Sequence, residues 1–214
     1  MNLRRFTVAC FATLSLVVTS GLARASATVD LIWADTGTDL LSLTSANTSS
    51  TYTLNIILTA GTEGSIGGGV SINYGDALPI FSVTNFRSFD TEPFLTMHLG
   101  TTTNQSPYID NINAGSASVL GMGIGLPAGV SAYLGTVTFH LDQPGSGTFE
   151  ISVGTDGPGG TDGIADLNFN PIYNPTFNSA WIDFGGGGSP IPEPTAALLF
   201  GLGAALIARH TRQR

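Results

Sequence analysis

From Thr28 onward, apolar and polar residues alternate with a period of two, the mark of strands that bury one face. Val29, Leu31 and Trp33 open the series. Tyr52, Leu54, Ile56 and Leu58 repeat it after a Ser/Thr/Asn-rich loop. Gly67-Gly68-Gly69 reads as a turn or bulge, and Val70, Ile72 and Tyr74 follow in the same rhythm. Phe81 and Val83, then Leu95, Met97 and Leu99, continue it. Leu120, Met122 and Ile124 alternate with small residues. Val137, Phe139 and Leu141 lead into Pro144-Gly145-Ser146-Gly147, a turn by composition. Phe149, Ile151 and Val153 then read as the returning arm of a hairpin. A last strand covers Trp181 to Phe184.

No stretch between these points keeps a helical period. About nine short strands joined by Gly-, Pro- and Asn-rich turns predict an all-β fold, a single antiparallel β-sandwich over residues 28–184.

The two ends of the chain have a different grammar. Arg4 and Arg5 precede an apolar run from Phe6 to Thr19, and Ala23-Arg24-Ala25 or Ala25-Ser26-Ala27 offers small residues for cleavage. Residues 1–27 therefore read as a secretory signal peptide, handled by the Sec translocon and signal peptidase. The one cysteine, Cys10, falls inside this segment, so the exported domain stands without disulfides.

At the other end, Gly185 begins a Gly-rich linker over 185–189, followed by Pro190, Pro192 and Pro194 around Ile191 and Glu193. Thr195 to Ala208 is uncharged, and Arg209, Arg212 and Arg214 close the chain. Fourteen helical residues span about 21 Å at ~1.5 Å each, short of the ~30 Å hydrocarbon core. Leu198, Leu199, Phe200, Leu202, Leu206 and Ile207 surround that helix on all sides, as a lipid-facing segment requires. The arginines favour a cytoplasmic C-terminus.

Residues 190–214 resemble the PEP-CTERM sorting signal of Gram-negative bacteria. The ordered triple is Pro192-Glu193-Pro194, the helix 195–208 and the basic end. Thr195 stands where many members have serine. The resemblance implies a transient inner-membrane anchor and recognition of the motif by an exosortase-type transpeptidase. It further implies release or reattachment at the cell surface or in the extracellular matrix, with a link to exopolysaccharide and biofilm.

A second resemblance concerns the domain. Gly69-Val70-Ser71-Ile72-Asn73-Tyr74-Gly75-Asp76-Ala77-Leu78 and Leu134-Gly135-Thr136-Val137-Thr138-Phe139 are similar to strand segments of cohesin-like sandwiches. Cohesins carry aspartate directly after the aromatic residue, whereas here Gly75 intervenes before Asp76. The likeness implies a cohesin- or immunoglobulin-like sandwich and carries no dockerin partner with it.

Charge narrows the function. The chain has no lysine, and of its seven arginines only Arg87 lies within residues 28–184. The same span holds fourteen of the fifteen acids, so its net charge is −13, against −8 for the whole chain. Such a domain does not bind nucleic acid, which needs cations on its phosphates. Scattered carboxylates also serve solubility alone.

Catalytic constellations are scarce. His98 and His140 both fall on the polar phase of their strands, so both are expected to face solvent. No G-x-S-x-G elbow, H-E-x-x-H or Walker loop occurs. Paired carboxylates for glycoside hydrolysis could come only from residues such as Asp90, Glu92 and Glu150. The domain is read as a non-catalytic structural or adhesive module. The alternative is a carbohydrate-active enzyme or carbohydrate-binding module.

Two further clusters stand out. Asp156, Asp162 and Asp166 punctuate a Gly-rich loop with Asn168 and Asn170 close behind, oxygen ligands of the kind calcium takes. The same composition also makes an Asp/Gly turn whose side chains bond their own backbone. Apart from calcium, no cofactor is expected. Tyr108 and Tyr173, in Pro/Asn-rich segments, are candidates for stacking on sugar rings, whereas Trp33 belongs to the core phase.

Overall fold

A computed structural model describes residues 26–44, 50–78, 80–89, 93–98, 100–116, 124–159 and 162–185. These segments form twelve strands and no α-helix. In chain order they are β1 (Ala27–Trp33), β2 (Leu40–Leu43), β3 (Thr51–Ala60), β4 (Gly67–Asn73), β5 (Phe81–Ser88) and β6 (Thr103–Gln105). The second half comprises β7 (Tyr108–Gly115), β8 (Ser131–Leu141), β9 (Gly147–Gly154), β10 (Gly163–Ala165), β11 (Thr176–Asn178) and β12 (Ala180–Phe184). A single 3₁₀ turn, Gly75–Ala77, follows β4.

The strands build two sheets. The five-stranded sheet runs β11-β1-β3-β8-β5, and the seven-stranded sheet runs β2-β12-β9-β4-β7-β6 with β10 added beside β4. Their inner faces supply one core. Val29, Leu31 and Trp33 from β1, Leu54, Ile56 and Leu58 from β3, and Val137, Phe139 and Leu141 from β8 meet Val70 and Ile72 from β4 and Ile151 from β9, all sealed from solvent. Phe139 is the hub. Its ring lies 6.0 Å from Trp33, 5.9 Å from Tyr74 and 6.4 Å from Phe81, the last two edge-on, the geometry that aromatic quadrupoles favour.

The sandwich and its alternating core match the period-two reading. Four particulars differ. First, β8 and β9 are not a hairpin. β8 pairs with β3 and β5, whereas β9 pairs with β12 and β4. The Pro144-Gly145-Ser146 segment crosses from one sheet to the other. Alternation alone cannot tell a hydrogen-bonded neighbour from one facing it across the core.

Second, the sheets are mixed rather than antiparallel: β1 runs parallel to β11, and β2 parallel to β12. Third, Gly67-Gly68-Gly69 is not a turn but the buried first half of β4, paired with β7 on one edge and β10 on the other. A Cβ on Gly68 would run into the carbonyl oxygen of Gly163, and Gly67 has φ +98°. Fourth, Met97 makes only an isolated bridge with Gly115 in place of the expected strand.

The expected signal peptide 1–27, apart from Ser26 and Ala27, lies outside the described residues. So do Leu99, the run from Leu120 to Met122, most of the linker 185–189, and the entire 190–214 segment with its 195–208 helix. Among the described residues no helix is long and apolar enough to cross a membrane.

Candidate functional site

The outer face of the seven-stranded sheet gathers most of the polar chemistry. Because Val70 and Ile72 point inward, Ser71 and Asn73 of β4 point out. The same alternation turns Glu150 and Ser152 of β9 outward. Asn73 is in register with Ser152 on one side and Tyr108 on the other. Ser152, Asn73 and Tyr108 therefore form a row across three adjacent strands.

A shallow hollow of about 220 Å³ opens at this row, lined by Asn73, Asp76, Glu150 and Ser152. A smaller one of about 80 Å³ adjoins it and shares Asn73 and Ser152, with Ser71, Tyr108 and Asp156 on its other walls. Asn73 Oδ1 accepts the N–H of Gly75 at 2.9 Å, and the amide NH2 makes no hydrogen bond to another described residue. Asp76 stands on the rim, placed there by the 3₁₀ turn.

Beside the smaller hollow lies a tighter knot. The register of β4 and β7 shifts between Val70 and Ile72, and Asn111 sits at the irregularity with φ +55°. The loop that follows β9 folds back over this point. A Cβ on Gly157 would strike Ser71 Oγ, and one on Gly159 would strike Asp110. Only glycine lets the loop come so close. Beneath it, Ser71 Oγ donates to Asp110 Oδ1 at 2.7 Å and also contacts Asp162 Oδ2. One hydroxyl proton serves two carboxylates.

Asp162 Oδ1 is enclosed with no hydrogen-bond partner. Burial, joined by the charges of Asp110 and Asp156, pushes the Asp162 carboxyl above its ordinary value, although hydrogen bonds from Ser71 and Gly157 pull the other way.

The three aspartates picked out from sequence are thus separated. Asp156 and Asp162 come together, and their companion is Asp110 of β7. Asp166 is engaged elsewhere: its Oδ1 accepts the N–H groups of Asn168 at 2.7 Å and Asn170 at 2.9 Å, and its Oδ2 accepts Asn170 Nδ2 at 3.1 Å. Burial alone would raise its pKa. The hydrogen bonds from Asn170 and Asn168 outweigh that and hold it below the ordinary carboxylate value. Among the described residues no group of three or more His, Cys, Asp or Glu is arranged to hold a metal ion.

Tyr108 opens β7 rather than a loop and is half-buried, whereas Tyr173 is 84 % exposed and lines neither hollow. His98 is exposed and His140 half-exposed. Glu150 joins the hollow, while Asp90 and Glu92 lie outside the described residues, as does the expected sorting motif Pro192-Glu193-Pro194 with Arg209, Arg212 and Arg214.

Sequence reasoning missed Asp110, Asp76 and Asn73 as members of this face. The segment Tyr108–Gly115 shows no apolar alternation. A usable signal was the triple glycine of β4, whose partner strand had to be close-packed.

Neither a protein-family model nor a curated protein matches this chain. Among solved structures, the chain is similar to a type III cohesin module from the cellulosomal ScaE cell-surface anchoring scaffoldin of Ruminococcus flavefaciens. The TM-score is 0.51 and the identity 9%, covering 76% of this chain and 89% of that one. It is also similar to CaCohA2 from Clostridium acetobutylicum (TM-score 0.47, 15% identity, 77% and 93% covered). A further match is a non-cellulosomal cohesin from the archaeon Archaeoglobus fulgidus (0.48, 9%, 74% and 91%). The likeness to the type III module is one of fold: the described residues form a β-sandwich like that of a cohesin.

Proposed function

We propose that this chain is an exported surface or extracellular-matrix protein. In this reading residues 28–184 are a non-catalytic structural or adhesive module, and residues 190–214 are a PEP-CTERM signal that delivers it. The signal peptide takes the chain across the inner membrane. The 195–208 helix holds it there until an exosortase-type transpeptidase reads Pro192-Glu193-Pro194. The domain then reaches the cell surface or the matrix, where exopolysaccharide is its surrounding partner.

For the domain, the observation that carries the reading is the row Ser152, Asn73, Tyr108. Hydrogen-bonding groups from three strands meet solvent at an open hollow, a surface for holding something against the sheet. The type III module of similar fold comes from a cell-surface anchoring scaffoldin, a setting in keeping with an exported binding module.

The test is Glu193→Ala in a host that carries the sorting enzyme, followed by fractionation and mass spectrometry of both termini. Wild type is expected at the surface without its 195–208 helix, and the variant in the membrane with the helix intact. Identical processing of the two overturns the sorting assignment.

One observation favours a second reading, a carbohydrate-active enzyme: Asp76 and Glu150 line the same hollow. Release of reducing ends from polysaccharide, abolished by Glu150→Gln, would establish it.

A further inference from the structure

We propose that the hollow on the seven-stranded sheet binds a cationic amino-sugar polymer, a chain of hexose rings carrying free amines beside their hydroxyls. This rests on the reading of the domain as an adhesive module and names the class of polymer it holds.

Charge points first to a cation. Asp76 and Glu150 line the larger hollow, and Asp156 lines the smaller. The only basic residue of 28–184 that carries a full charge at neutral pH is Arg87, which lies on β5 of the other sheet with its guanidinium 4.9 Å above the Phe89 ring. An anionic polymer meets unscreened carboxylates on this face, whereas an ammonium group meets acceptors.

The remaining groups point to a polyol. Carboxylates only accept hydrogen bonds, but the amide NH2 of Asn73 donates, and the hydroxyls of Ser152 and Tyr108 do both. None of these makes a hydrogen bond to another described residue; the one bond at Asn73 uses its oxygen. A bare polyamine would satisfy the carboxylates and leave those donors idle. A ring bearing an ammonium flanked by hydroxyls satisfies both sets.

Shape agrees. The two hollows are open and have Asn73 and Ser152 as common walls. That form suits a polymer lying along the face better than a small molecule enclosed by it. Tyr108, half-buried, lines the smaller hollow, and an aromatic ring is a partner for the C–H face of a sugar.

The experiment uses the full-length chain, purified in a neutral detergent from a host without sorting machinery, so that its outcome is independent of the Glu193 test. Calorimetric titration compares a glucosamine hexamer, the fully N-acetylated hexamer and hexalysine. The glucosamine hexamer is expected to bind at least tenfold more tightly than either of the others. Raising the pH until its amines lose their protons removes the binding.

Asp76→Asn combined with Glu150→Gln weakens binding at least tenfold. Asp30→Asn, on the outer face of the other sheet, leaves it unchanged. A thermal melt confirms that each variant is folded. Equal binding of the acetylated hexamer overturns the requirement for charge, and equal binding of hexalysine overturns the sugar. No binding of any probe overturns the site.

Discussion

The indole N–H of Trp33 is donated to the carbonyl oxygen of Trp181, 3.1 Å away and 148 residues further along the chain. The bond joins β1 of the five-stranded sheet to β12 of the seven-stranded sheet. Trp33 is wholly buried and stacks at a tilt on Phe139, so one side chain both fills the core and ties its two walls together.

Trp33→Phe keeps most of the ring and removes the donor, leaving the Trp181 carbonyl short of a partner, at an expected cost of about 1–3 kcal/mol. Trp33→Ala also opens a cavity and is expected to cost about 3–5 kcal/mol. Urea denaturation of the two variants separates the contributions. Equal midpoints for Trp33→Phe and wild type would remove the hydrogen bond from the account.

The glycines of β4 give a paired test. Gly68→Ala drives a methyl group into the backbone of β10 at Gly163, while Gly163→Ala meets open space. The first is expected to cost more than about 2 kcal/mol through overpacking, and the second to lie within about 0.5 kcal/mol of wild type. Thermal melts of the two proteins read the contrast directly.

Asp166 titrates in favour of the fold at neutral pH. Its carboxyl is held below the ordinary 3.8 by Asn168 and Asn170. Its contribution is therefore complete above that value and is lost as the pH falls through the folded-state pKa. Asp166→Ala is expected to lower the Tm by about 2–4 °C at pH 7, from about 1 kcal/mol after solvent screening. The difference should vanish once the wild-type carboxyl is protonated.

Asp162 has the opposite sign. Its pKa is raised above 3.8, so the folded state holds its proton more tightly than the unfolded chain. The stability linked to it is highest below the ordinary value and declines as the pH climbs through the folded-state pKa. Asp162→Asn is expected to raise the Tm by about 1–2 °C at pH 7 and to change it less at pH 4. A variant that melts earlier than wild type at pH 7 would contradict the crowding of Asp110, Asp156 and Asp162.

How much of this was written in the alternation can be judged strand by strand. Val29, Leu31, Trp33, Leu54, Ile56 and Leu58 announced their burial because each strand has one dry face and one wet face. Trp181 to Phe184 was equally plain. The partnering of strands was not. β8 and β9 look like a hairpin on paper because both have inward faces, yet those faces meet across the core.

The strand β7 was hidden by its own polarity. Asp110, Asn111 and Asn113 are buried, held by Ser71, Thr101, Thr102 and Ser88. Such side-chain bonding compensates for the loss of water and leaves no apolar pattern to read. For the same reason the Asp-Gly loop announced its aspartates but not the strand they lean on. Asp166 followed its local chemistry, a short side chain bonding nearby backbone, while Asp156 and Asp162 followed the fold. The row Ser152, Asn73, Tyr108 depends on register across three strands that are distant in sequence, and register is a property of the assembled sheet.

The parallel pairs β1 with β11 and β2 with β12 carry a consequence for biogenesis. Synthesis from the N-terminus sends β1 and β2 out of the ribosome first. Among the described residues β2 pairs with no strand but β12, so it stays unmatched until residues 180–184 have passed. Closing so long a loop is slow. The seven-stranded sheet is therefore completed late, and its final clasp forms only once the last strand is free to pair.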